Sequence, residues 1–492
     1  MENLKLIFLQ VFSSKKFGSV LIIFVSLFLA AWSLGNHYLF KTAALDLGLF
    51  NKALYDYAHL QQNYITLLLE DKVVNFLGDH FSLIVFLLSP LYYIFGSYTL
   101  LIIQILFVAI AAVYIRKYVL LKTQNQLYAN LALLHFFSIW GIYSAISFDF
   151  HTNVLAALMV PALLYQFERK NWKKFALFFV LMLICRENIG FWMCFLLLGF
   201  HIKNKFVILK SRPLFHTIII MLPIIYSVVV TSYIIPAVNH TVQQAHYMRF
   251  QALGHTTGEV AQYVFLHPIE ILKLLFTNTS LDPLNDMIKM QLHLCVMACG
   301  GILFLVRPVF LLMLLPIYLQ KMLGYDSSLW GVNFHYSIEF VPLLSLLVLE
   351  VCMLLKRVRY RLIFYMFFIL SSLAVSVAVL RGELGVFQDS VSTFVNNKNN
   401  SLHMVQETYD LLRKVPADAI VSAHSNITPH LSGVKKLYAF PSVSDAEYII
   451  TFKKYYSTYP LNEQQHIDTM KYYTNHFTML SETGNAVLLK RK

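Results

Sequence analysis

Five short stretches set acids or histidines beside apolar sequence. Asp46 opens AALDLGLFNKALYDYA (43–58), and Asp79 and His80 close LGDHF (77–81). Asp149 and His151 lie in FDFH (148–151), and Arg186 and Glu187 interrupt LMLICRENIGFW (181–192). His335 and Glu339 belong to HYSIEF (335–340). Ionisable side chains at membrane depth are costly and mark partners or function. A partly desolvated carboxylate gains basicity, so Asp46 is the candidate to take a proton from an acceptor hydroxyl. The histidines and Arg186 could steady an anionic leaving group such as phosphate. The other residues of these stretches are candidates for binding substrate. A divalent metal, Mg or Mn, on Asp46, Asp79 and a histidine is a further option, although no metal-type spacing supports it. Structural readings stand beside each of these. Asp46 could cap a helix, Asp149 and His151 could cap a span, and Arg186 with Glu187 could be an ion pair at a helix junction.

The elements that carry these residues are spans. The chain has 492 residues, 58% hydrophobic and 13% charged. Soluble domains have about 45–50% apolar and about 25% charged residues. The composition therefore specifies a polytopic α-helical membrane protein. About eleven runs are long enough to cross: 18–39, 97–117, 125–147, 152–167, 174–187, 188–202, 213–236, 290–306, 308–323, 334–355 and 360–380. The first reads as a retained span rather than a cleaved signal. A twelfth apolar segment, 81–96, is short and contains Pro90, and is expected to be re-entrant or surface-lying.

Basic residues set the sidedness. With the N-terminus inside, the short loops 1–17, 116–124, 168–174, 203–212, Arg307 and 356–361 hold 19 of the 39 Lys and Arg. Of the 26 acids they hold only Glu2 and Glu168. The net charge of +13 thus reports topology and not nucleic acid. The expected location is the cytoplasmic (inner) membrane, with the C-terminus extracytoplasmic. The segments 40–80 and 237–289 are then long outer loops, and the working face is the outer one. The apolar side of 43–58, with Leu47, Phe50, Leu54 and Tyr57, is expected to lie on the membrane surface. Asp56, Glu70 and Asp71 read as solvated loop charges. All five cysteines fall in apolar runs, with no disulfide framework.

Residues 1–384 form the expected membrane domain, and 385–492 a small extracytoplasmic α/β domain. NNKNNS (396–401) reads as its linker, with Ser401 a cap. LHMVQETYDLLRKV (402–415) has helical spacing, and AIVSA (419–423) and EYIITF (447–452) read as strands. HSNITPHLSG (424–433) is its most polar loop, where His424 and His430 are either solvated or meet a ligand.

DLGLFNKALY, LGDHFSLIVFLLSPLYYIFGS, FDFH and the RE that follows a span resemble a family of bacterial and archaeal multi-spanning proteins known only as a domain of unknown function. VPADAIVSAHSNITPHLSGVKKLYAFP resembles that family's C-terminal part. The family in turn resembles the GT-C superfamily of membrane glycosyltransferases. In GT-C enzymes an acid in the first outer loop precedes a Pro-containing apolar segment. Asp46 and SPLYYIFGS (89–97) match these positions. The resemblance implies sugar transfer from a polyprenyl-phosphate-linked donor to an envelope glycan or lipid acceptor. It makes Asp46 the base, and His80 and Arg186 contacts for the carrier phosphate. Many members carry two adjacent acids where this chain has only Asp46.

Two other readings compete. A transporter or flippase for a lipid-linked envelope precursor would show related halves, and no internal repeat is visible. A non-catalytic envelope assembly factor would act through its C-terminal part.

Overall fold

The computed structural model describes residues 10–68, 73–206, 210, 212–239, 249–279, 283–385, 402–453 and 460–492. Glu70, Asp71 and the linker 396–401 with Ser401 lie outside the described residues. Helices of ten residues or more are labelled in chain order.

Helix α1 (Lys15–Tyr38) begins where the Ser14 hydroxyl accepts from the Lys16 amide at 3.2 Å. Its 24 residues reach about 36 Å, enough for a ~30 Å hydrocarbon core. A π-helical turn, Ala44–Gly48, leads into α2 (Leu49–Ala58). The apolar segment that follows is broken, as its Pro90 suggests. It forms Leu83–Leu88, a 3-10 turn at Ser89–Leu91, and Tyr92–Phe95, and then turns at Gly96, whose φ is 55°. Only then does α3 (Thr99–Thr123) run on.

Helix α4 (Gln126–Ser138) bends by 49° into Gly141–Ser147. Helix α5 (Thr152–Glu168) is buried almost all round, as its uniformly apolar sequence requires. Helices α6 (Trp172–Leu183) and α7 (Ile189–Lys203) meet at the corner holding Arg186 and Glu187. The remaining helices of this part are α8 (Pro213–Val229), α9 (Thr257–Leu266), α10 (Pro283–Ala298), α11 (Val309–Met322), α12 (Val341–Cys352) and α13 (Val358–Leu380). Among the described residues, five helical stretches are long and apolar enough to cross a membrane: Lys15–Tyr38, Leu83–Thr123, Pro213–Val238, His335–Cys352 and Val358–Leu380. The bent pair at α4 makes a sixth if it is one span. The other expected spans appear as shorter helices. All five cysteines are buried and free.

The C-terminal part opens with α14 (Leu402–Leu412). Strands β3 (Ile420–Ala423) and β5 (Tyr448–Phe452) fall where the alternation placed them. Three further strands of four to six residues complete the sheet with them, β4 (Lys436–Ala439), β6 (Phe477–Glu482) and β7 (Ala486–Arg491). Their order is β4-β3-β5-β7-β6. β3 pairs parallel with β4 and β5, while β7 pairs antiparallel with β5 and β6. Helix α15 (Glu463–His476) starts with a capping box at Asn462 and Gln465. The paired strands β1 (Tyr64–Ile65) and β2 (Val74–Asn75) lie in the first outer segment.

The C-terminal sheet and the membrane helices share one hydrophobic cluster, which contains Leu47 and Leu54 together with Ile427 and Leu431. This corrects three expectations. The apolar side of 43–58 is buried in protein and does not lie on lipid: Leu47 and Leu54 have no exposure. Tyr57 packs on Phe86 and Tyr55 on Tyr92, and the Tyr93 hydroxyl donates to the Ala58 carbonyl at 2.8 Å. Asp56 is not a solvated loop charge, because it is buried between Lys52 Nζ at 2.6 Å and Asn63 Nδ2 at 2.7 Å. Nor is the 424–433 loop solvated. His424 is buried, and the His430 ring stacks on His37 at 4.0 Å.

One close approach positions the site. A Cβ on Gly141 would meet the Ser337 carbonyl oxygen at 2.4 Å and Val341 Cγ2 at 2.8 Å. Only glycine there lets the α4 continuation lie against the His335–Phe340 turn. Gly141→Ala should cost about 1–3 kcal/mol by overpacking and lower the melting temperature in detergent. Gly35→Ala, where a Cβ meets nothing within 4 Å, should leave it unchanged or raise it. Equal effects would contradict the packing described.

Candidate functional site

The sequence candidates come together at junctions between helices. Asp46 sits in the π turn after α1. No side chain caps either that turn or α2, so helix capping is not what Asp46 does. Its Oδ1 lies 3.2 Å from His151 Nε2. His151 is the residue before α5 and makes no side-chain cap there. Its ring stacks on His335 with centroids 3.5 Å apart and planes 8° apart. His335 opens the 3-10 turn His335–Phe340 that leads into α12.

Asp149 holds this arrangement together. It adopts a left-handed backbone, with φ of 66°. That turns its carboxylate back so that Oδ2 accepts from the Ala43 amide at 2.7 Å. Gln104, in the second turn of α3, fixes the same corner from behind. Its Nε2 donates to the Asp149 carbonyl at 2.8 Å, and its Oε1 accepts from the His151 amide at 3.4 Å. Asp149 and His151 are therefore anchors for the Asp46 turn rather than caps.

A second group adjoins the first. His80 Nδ1 is 2.5 Å from Asp79 Oδ2, and its Nε2 faces Arg186 at 3.5 Å. Arg186 Nε donates to Glu187 Oε1 at 3.2 Å, and Glu187 Oε2 accepts from the Phe81 amide at 3.1 Å. Glu187 thus ties the α6–α7 corner to the start of the broken apolar segment. Phe50 of α2 stands between the two groups, with its ring 5.7 Å from His80 and 5.8 Å from His151. Glu339 lies deeper, paired with Lys321 of α11 and accepting from Asn153 Nδ2 at 3.2 Å. It supports the turn from within.

The C-terminal loop closes over the Asp46 turn. Ser425 Oγ accepts from the Ala44 amide at 3.2 Å, and Asn426 Nδ2 donates to the Thr42 carbonyl at 3.1 Å. Asn51 Nδ2 donates to the carbonyls of Ser97 at 2.9 Å and Pro429 at 3.2 Å. His430, stacked on His37, belongs to this docking surface, while the His424 ring lies 5.1 Å from Phe452 within the C-terminal part.

Burial dominates the electrostatics of the cluster. Burial, and then the charge of Asp46, push the Asp149 carboxyl well above its ordinary value, against hydrogen bonds from the Ala43 and Leu47 amides. Burial lowers His151 below the ordinary imidazole value, although Asp46 opposes the shift. Burial works against the Arg186 cation, but Glu187 and Tyr336 outweigh it and raise its pKa. A neutral His151 that donates from Nε2 to Asp46 leaves Nδ1 as a lone pair. That Nδ1 and both ring nitrogens of His335 are buried without a partner among the described residues. Orphaned buried nitrogens in one place are where a ligand or water belongs. Among the described residues no three His, Cys, Asp or Glu gather to hold a metal. Asp46, Asp79 and a histidine do not form such a group among the described residues.

Gln104, Asn153, Tyr336 and Lys321 were not candidates from the sequence. Gln104 and Lys321 left a signal all the same, as polar residues inside apolar runs. Tyr336 neighbours His335 and also accepts from Arg249 at 3.2 Å.

Fold and site together define a multi-spanning helical membrane protein with a C-terminal α/β part locked onto a carboxylate–imidazole cluster. The family described as "Predicted membrane protein (DUF2079)" matches residues 36–488, and the chain belongs to it. No curated protein matches the sequence. Among solved structures, ArnT from Cupriavidus metallidurans bound to undecaprenyl phosphate is similar, at 10% identity and a TM-score of 0.47. The alignment covers 97% of this chain and 98% of that one. A likeness at that level does not bear on activity.

The raised Asp149 pKa makes a prediction about stability. Between the unfolded carboxyl value of about 3.9 and the higher folded value, the folded protein holds the extra proton. Stability from this group therefore falls as pH rises through that window. Asp149→Asn keeps an acceptor oxygen for Ala43 and removes the titration. The melting temperature of wild type minus that of the variant should fall as pH rises from 4. A constant difference would contradict the assignment.

Proposed function

We propose that this protein is a GT-C-type membrane glycosyltransferase that moves a sugar from a polyprenyl-phosphate-linked donor to an envelope glycan or lipid acceptor. The sequence resemblance supplies the reaction class. One geometric observation carries the reading: Asp46 is held on His151, beside the ring nitrogens of His335, which have no partner among the described residues. His80 and Arg186 adjoin it.

The acceptor hydroxyl attacks the anomeric carbon of the sugar. A carbon–oxygen bond forms there as the bond to the phosphate oxygen breaks. Polyprenyl phosphate leaves with that electron pair, and the hydroxyl proton passes to Asp46 and then to solvent. His151 orients the Asp46 carboxylate. The leaving phosphate gains negative charge, which Arg186 and His80 offset. Arg186 has five N–H donors, and its Nε serves Glu187, so other donors can serve the phosphate. The junction end faces the outside of the cytoplasmic membrane, as the basic inner loops direct. Residues 385–492 form an extracytoplasmic unit that braces the Asp46 turn.

The test uses purified full-length protein in liposomes with radiolabelled polyprenyl-phosphate sugars, scoring release of free polyprenyl phosphate. Asp46→Asn should lower turnover by about 10²–10⁴-fold, the usual loss for a general base, while donor binding persists. No release by wild type from any donor, or equal release by the variant, would overturn the proposal.

A further inference from the structure

At the far end of α1 from Asp46, a groove of about 240 Å³ opens between α1 and α3. Ile23, Val113 and Leu120 line its wall, and Ser19, Arg116 and Lys117 its polar part. None of the lining residues is acidic. It is smaller than sites for drug-sized ligands, which run about 300–1,000 Å³. Its size suits a headgroup and the first part of one acyl chain. Val20, Ile23 and Phe24 on the same helix are exposed apolar side chains, as on a lipid-facing surface.

The basic residues here are arranged and not merely numerous. Arg116 crosses to α1, donating from its terminal nitrogen to the Lys15 carbonyl at 2.9 Å and to Gln126 Oε1 at 3.0 Å. Gly18 permits this crossing, since a Cβ there would meet Arg116 Nε at 2.9 Å and Asn130 Oδ1 at 2.4 Å. Arg116 Nε is buried without an acceptor among the described residues. An unsatisfied buried donor is costly, and a phosphate oxygen entering beside it would relieve that cost. Lys117 is exposed and held over the Tyr114 ring at 5.0 Å. Lys15 and Lys16, also exposed, begin α1 at the same end.

We infer that this groove binds one anionic phospholipid, with its phosphate at Arg116 and Lys117 and an acyl chain along Ile23, Val113 and Leu120. Basic pockets between membrane helices recognise anionic headgroups by this chemistry. The site lies outside the Asp46 cluster and does not depend on the transferase reading.

Delipidated full-length protein is titrated with phosphatidylglycerol and with phosphatidylethanolamine of the same acyl chains, and bound lipid is counted by native mass spectrometry. Wild type should bind phosphatidylglycerol more tightly. Lys117→Gln should weaken that binding about fivefold, the worth of one basic residue near a charged lipid, and weaken the binding of zwitterionic phosphatidylethanolamine less. Ser19→Trp, which fills the groove, should weaken both. Equal binding of the two lipids by wild type, or unchanged phosphatidylglycerol binding by Lys117→Gln, would overturn the inference. Lys117 is exposed, so its substitution remains informative if Ser19→Trp does not fold.

Discussion

The site depends on one hydrogen bond between residues far apart in sequence. The Ala43 amide donates to the Asp149 carboxylate across 106 positions. A backbone donor at a membrane helix exit has few partners, and leaving it unpaired in a buried place is costly. The left-handed turn at Asp149 brings the acceptor to it. Once that bond is made, the π turn stands against the corner before α5, and Asp46 reaches His151. The other contacts build on this one: Gln104 braces the corner, Ser425 and Asn426 cover the turn, and His335 stacks on the far face of His151.

The two aspartates are close neighbours with different surroundings. Asp149 is enclosed and binds backbone, and burial disfavours its charge. Asp46 has a side chain one quarter exposed and faces an imidazole. This division explains why a chain with one acid at the first outer motif still brings a second carboxylate to the site. Asp79 pairs with His80. The carboxylate beside Asp46 comes from FDFH.

Much of this was legible in the sequence, because a charge in an apolar run announces itself. Asp46, His80, His151, Arg186 and His335 were all visible by that cost, and the structure places them at neighbouring junctions. The break at Pro90 and the strands β3 and β5 were visible through local chemistry and alternation. The destination of the 43–58 helix was not. Its apolar face would serve equally well against lipid or protein, since membrane interiors and lipid tails are similarly apolar. Nor was the docking of 424–433 legible, because contacts such as Ala44 to Ser425 span 381 positions and leave no local pattern. Strand β6 is largely exposed, so it produced no alternating apolar signal.

The central claim is that Asp46 and His151 act as one unit. A double-mutant cycle on polyprenyl phosphate release, with Asp46→Asn, His151→Gln and the double variant, tests it most directly. Groups that act together give strongly non-additive losses. The double variant should be no slower than the slower single variant. Losses that multiply would show that the two residues act independently and would contradict the account.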